Sequence, residues 1–88
     1  MEDRAMYQRE DGTFGYTIAQ QQKLENWFVY HAPTPEQIPL YGRLRTAARD
    51  FAQVIIECTP ECADQTMALR KVRESVMMAN VSIACGGK

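Results

Sequence analysis

Residues 41–84, YGRLRTAARDFAQVIIECTPECADQTMALRKVRESVMMANVSIA, decide the fold. In the first part of this stretch Tyr41, Leu44, Ala48, Phe51, Ile55 and Cys58 recur at steps of three and four, the spacing of one helix face. A second stripe, Leu40, Ala47 and Val54, runs beside it. Beyond Thr59-Pro60 the pattern returns as Leu69, Val72, Val76, Ala79 and Ile83, flanked by Met77, Val81 and Ala84. The two arms of a helical hairpin cover one stripe each, so the second stripes need another partner. The expected architecture is all-α: a short N-terminal helix, then a long antiparallel helical hairpin, assembling into a compact homo-oligomer.

Working outward, Pro39 suits the first helical position, where its missing N–H costs nothing, so the first arm is expected over about residues 39–58. Thr59 is expected to cap and Pro60 to open the return arm, about 60–84, which Gly86-Gly87 ends. Three prolines, Pro33, Pro35 and Pro39, make residues 30–38 a rigid connector rather than helix. Upstream, Thr17 is placed to cap a helix over about 17–28 with Ile18, Leu24, Trp27 and Phe28 on its apolar face. Residues 1–16 form an N-terminal extension in which Asp11-Gly12, between stretches bearing Met6, Tyr7, Phe14 and Tyr16, suggests a short β-hairpin or a tail. The expected organisation is therefore an extension, 1–16, and a single helical domain, 17–88.

Size and charge bound the function. At 88 residues and 10.0 kDa there is room for one small domain, marginal unless stapled or oligomeric. Ten basic against eleven acidic residues leave a net charge of -1, so no whole-molecule field announces duplex nucleic acid. No apolar run is long enough to span a bilayer, and the charged start, Met1 to Glu10, does not resemble a signal peptide. Together with three cysteines that cannot all pair within one chain, this points to a cytosolic protein with free thiols and no membrane partner.

Catalytic chemistry finds little footing. Cys58 and Cys62 lie four apart and His31 is the only histidine, with no second ligand pair for a structural zinc, so neither a metal nor a cofactor is expected. The cysteines are read instead as small apolar residues, two of them packed near the turn. No Ser/His/Asp pattern, carboxylate pair or phosphate-cradling glycine loop appears, and Asp50, Glu57, Glu61, Asp64 and Glu74 read as solvated charge. No catalytic residue is expected, and the chain reads as a non-enzyme.

Binding is better supplied. Arg45 and Arg49 are one turn apart on one helix face, so both can address the same anion, and Arg43 lies on the same arm. Tyr30 and His31 precede the stiff connector, where an aromatic ring can stack on a base. From composition alone the plainer reading is favoured, with Tyr30 in the core and the arginines solvated. Trp27, beside Phe28, reads as a core or interface anchor. Asn80, between Val76, Ala79 and Ile83, reads as a buried amide that fixes register between protomers.

The wording of the chain adds a further sign. Phe28-Val-Tyr30-His31-Ala-Pro33, Gln37, Tyr41-Gly-Arg-Leu-Arg45 and Val76-Met-Met-Ala79-Asn80-Val-Ser-Ile83-Ala84 resemble the phage anti-CBASS cyclic-oligonucleotide sponge family, whose helical hairpin is shared with phage sponges that block Thoeris defence. The resemblance runs from about Trp27 to Ala84. It implies immune evasion without catalysis. Members sequester cyclic dinucleotides, cyclic trinucleotides or cyclic ADP-ribose isomers as homohexamers in the cytoplasm of the infected bacterium. It further implies that Tyr30 of the Tyr-His-x-Pro motif stacks on a base, with His31 and Pro33 beside it, and that Arg45 contacts phosphate. Arg43 would serve a second pocket, while Arg49 is a candidate through its spacing from Arg45. Val54, Asn80 and Val81 are the candidates for the protomer interface. The alternative is a small helical protein–protein interaction module with no small-molecule ligand.

Overall fold

A computed structural model of the chain describes residues 8–88; the part of the expected N-terminal hairpin that carries Met6 and Tyr7 lies outside them. Three helices follow one another, α1 (Ile18–Trp27), α2 (Ile38–Cys58) and α3 (Ala63–Ala84). The chain divides into two units, one running to Tyr30 and including Lys88, the other spanning His31–Gly87.

In the first unit an antiparallel bridge joins Gln8 and Phe14 around Asp11-Gly12. Gly12 takes φ 91°, a conformation open to glycine, and the Thr13 N–H and hydroxyl both donate to Asp11 Oδ1 (2.9 and 2.6 Å). Those two bonds hold the Asp11 carboxyl below its ordinary pKa. Next comes α1, opened by a reciprocal cap. The Gln20 N–H donates to Thr17 Oγ1 and the Thr17 N–H to Gln20 Oε1 (3.1 and 3.0 Å). At its end Trp27 Nε1 donates to the Lys88 carbonyl (2.8 Å), and the Lys23 ammonium sits 5.4 Å from the Trp27 ring centre. Trp27 is 47% exposed and Phe28 76%, so neither is buried within the chain.

A second cap of the same kind organises the connector of the other unit. The Gln37 N–H donates to Thr34 Oγ1 (3.3 Å) and the Thr34 N–H to Gln37 Oε1 (3.0 Å), across Pro35-Glu36. Gln37 also reaches over the hairpin, its Nε2 donating to the Ile83 carbonyl (3.4 Å) and tying the start of α2 to the end of α3. Pro39 is the second residue of α2, still within the first turn, where an N–H would have no helical acceptor and its absence costs nothing. Replacing Thr34 by alanine removes the Oγ1 acceptor of this pair and should lower stability by about 1 kcal/mol, read as a lower urea midpoint. An unchanged midpoint would show that the Gln37–Ile83 link alone fixes the start of α2.

The turn between the arms differs from expectation. Thr59 does not cap α3: its hydroxyl donates backwards to the Ile55 carbonyl (2.6 Å), closing the last turn of α2, while Gln65 Nε2 donates to both Thr59 O and Oγ1 (3.1 and 3.0 Å). With that oxygen committed, Pro60 stays in the turn and α3 opens later, at Ala63, with an extended Cys62 as its N-cap and Asp64 favourably placed in its first turn. Cys58, the last residue of α2, and Cys62, the N-cap of α3, are exposed free thiols and not packed residues. At the far end the Gly86 N–H donates to Ile83 O and the Gly87 N–H to Ser82 O (3.2 and 2.9 Å), with positive φ at both glycines. This paired C-cap is why glycine follows the helix.

Arms α2 and α3 pack antiparallel along one seam. On α2 the half-buried residues are Tyr41, Gly42, Leu44, Ala48, Ala52 and Ile55; on α3 they include Leu69, Val72, Val76, Ala79 and Ile83. Phe51, expected in the seam, is 59% exposed and Ala52 takes its place, since a step of four from Ala48 stays closer to the contact line than a step of three. No residue among those described is fully buried, and Leu40, Phe51, Val54, Met77, Met78 and Val81 remain exposed. Two helices share too narrow a contact to close a core, so the surplus stripe of the sequence is an exposed apolar face.

Candidate functional site

The seam has two unlike flanks. Along one runs an apolar groove of about 610 Å³ whose walls include Leu44, Ala47, Phe51 and Ile55 of α2 and Ala68, Ser75 and Ala79 of α3. Val54, three residues after Phe51 and seven after Ala47, continues that side of α2.

The opposite flank carries the guanidinium groups. Arg45 and Arg49 of α2 and Arg73 of α3 rim a groove of about 420 Å³ floored by Ala48, Ala52, Leu69, Val72, Val76 and Met77. Its volume falls within the roughly 300–1,000 Å³ of small-molecule clefts. All three arginines are exposed, and among the described residues none has a carboxylate partner. Among the described residues the one ion pair, Lys71–Glu74 at 3.2 Å, takes up the acid that follows Arg73, and its Lys71 lines the groove of the other flank. An i,i+4 pair of like charges costs a few tenths of a kcal/mol, a cost an anion in the groove would reverse.

The structure thus brings Arg45 and Arg49 together and sets Arg43 apart, in a separate groove with Leu40, Leu44, Ala47 and Ile83. Tyr30, at the end of the first unit, is 87% exposed, which overturns its reading as a core residue; its ring is a free aromatic surface. His31 is half-buried at the head of the second unit, and Pro33 is exposed in the connector. Val54 and Val81 are exposed on α2 and α3. Asn80 is half-buried with its Oδ1 shielded from solvent and unbonded, an acceptor that costs free energy until a donor reaches it. It follows Val76 by four residues and Met77 by three, which puts it one turn along from the arginine groove. Arg73 was not singled out by sequence reasoning. It stands directly after the seam residue Val72, and only the register of the two arms places it opposite Arg45 and Arg49.

Among the described residues no group of three or more His, Cys, Asp or Glu side chains could hold a metal ion, and no helix is long and apolar enough to cross a membrane. Fold and site together define a helical hairpin with one arginine-rimmed and one apolar flank. The chain belongs to the Acb2/Tad1 hairpin domain family, which matches residues 20–84 and so takes in most of α1 as well as both arms. This is the family of anti-CBASS and anti-Thoeris sponges. No curated protein and no solved structure matches the chain.

Proposed function

We propose that the chain is a non-enzymatic sponge that binds cyclic nucleotide messengers of bacterial immunity and withholds them, uncleaved, from their receptors. The observation that carries this reading is the pair Arg45 and Arg49 on an apolar-floored groove, without carboxylate partners among the described residues, in a hairpin of the sponge family. Guanidinium groups suit phosphate because their forked N–H donors match its oxygens, and the apolar floor suits a base or ribose. Tyr30 supplies an exposed ring for stacking, worth roughly 1–3 kcal/mol per base. The ligands in view are cyclic dinucleotides, with cyclic trinucleotides and cyclic ADP-ribose isomers as further members of the class. The working form is a homo-oligomer, a hexamer, in the cytoplasm of the infected host.

Calorimetry against that panel tests the reading. Arg45→Ala should weaken binding by at least about 1.5 kcal/mol, the lower end for a charge-assisted contact. Heating the complex should return the cyclic nucleotide intact; linear products would make the protein a nuclease. A second reading, a helical module for a protein partner, draws on the exposed Leu40, Phe51 and Val54. It predicts no thermal shift with any cyclic nucleotide.

A further inference from the structure

We infer that Arg73 is the third phosphate-binding residue of the arginine groove, and that the groove is a two-walled clamp selecting ligands with at least two phosphates. The inference rests on the sponge reading and specifies its ligand. Arg45 and Arg49 stand on α2, whereas Arg73 comes from α3 and rims the same groove from the facing arm. Glu74, its neighbour in sequence, is held by Lys71 at 3.2 Å, and Arg73 itself has no carboxylate among the described residues. Between the two walls lies a floor of aliphatic side chains, Ala48, Ala52 and Val72 among them, with no charge of its own.

A ligand with a single phosphate satisfies the α2 wall and leaves Arg73 facing the apolar body of the bound molecule, a cation partly stripped of water with nothing to pair with. A second phosphate, separated from the first by a sugar and base, removes that penalty and adds a charge-assisted contact. The chemistry required is an anionic rim around an apolar body. Cyclic oligonucleotides have that form, and cyclic mononucleotides, with one phosphate, do not.

The test is calorimetry of the full chain with 3′,5′-cyclic AMP, cyclic di-AMP, cyclic GMP–AMP and cyclic tri-AMP. Arg73→Gln should lower affinity for whichever multi-phosphate ligand the wild type binds by at least about tenfold, the effect of losing one charge-assisted hydrogen bond. Its weak binding of cyclic AMP should not fall, because the unpaired cation that opposes a single-phosphate ligand is gone, and Arg73→Lys should recover part of the loss for the multi-phosphate ligand. Because Arg73 is exposed and glutamine is a good helix former, the ligand-free melting temperature should not move. Should Arg73→Gln fail to fold, Arg73→Lys carries the test, with a loss of at least about threefold from the missing guanidinium fork. Unchanged affinity for the multi-phosphate ligand in the variant tested would place Arg73 outside the site while leaving the sponge reading standing. An equal loss for cyclic AMP would overturn the two-phosphate selection. A wild-type chain that binds none of the four overturns the sponge reading and this inference with it.

Discussion

Val54→Asp is expected to turn the proposed homo-oligomer into a monomer and, where protomers share the ligand, to lower cyclic nucleotide affinity at least about a hundredfold. The argument begins from the absence of any fully buried residue among those described, although 45% of the chain is hydrophobic. Phe51 and Val54, 59% and 52% exposed, lie on the flank that carries the apolar groove. If protomers meet there, each copy of the substitution buries a carboxylate with no partner, which costs several kcal/mol per site. A symmetric assembly repeats that cost at every interface, whereas a typical stable contact covers only about 800 Å² per partner. Sedimentation should report the monomer mass of 10.0 kDa for the variant. Val54→Ala, which removes methyl groups without adding charge, should keep the assembly at reduced stability. A Val54→Asp monomer that bound ligand as tightly as the wild type would show that one protomer holds the whole site.

The second large effect is charge reversal at the arginine groove. Arg45→Glu together with Arg49→Glu removes two charge-assisted contacts, each worth about 1.5–3 kcal/mol, and sets two carboxylates against the ligand's phosphates. The combined loss should exceed about a thousandfold in affinity. Both residues are exposed and glutamate is as good a helix former as arginine, so circular dichroism and the oligomer mass should be unchanged. The double variant therefore loses the ligand and keeps the assembly, whereas Val54→Asp loses both. Retained binding would show that the groove is not the phosphate site and would return the exposed apolar face to prominence as a protein-docking surface.

Local features of the chain were readable without coordinates. Thr17 caps α1 through its own hydroxyl and Gly86-Gly87 closes α3 by adopting positive φ, and in each case the deciding partners lie within five residues. The same local rule holds at Thr34 and Gln37, whose spacing is that of a capping box around Pro35. At Thr59 local rules offered two uses for one hydroxyl, the end of α2 or the start of α3. The turn that binds Gln65 to Thr59 settled it in favour of α2.

What the sequence by itself determined was the existence of two amphipathic arms, their direction reversal near Thr59-Pro60 and an apolar surplus that one hairpin does not absorb. Those properties follow from helical periodicity and backbone chemistry, which act over a few residues and are written in the order of side chains. Only the tertiary structure decided which residues form the seam, that Ala52 and not Phe51 faces α3, and that Arg73 meets Arg45 and Arg49 across a groove. That choice depends on the axial register and rotation of one arm against the other. A shift of one residue turns a helix by about 100° and would carry Arg73 off the groove while leaving every local signal in place.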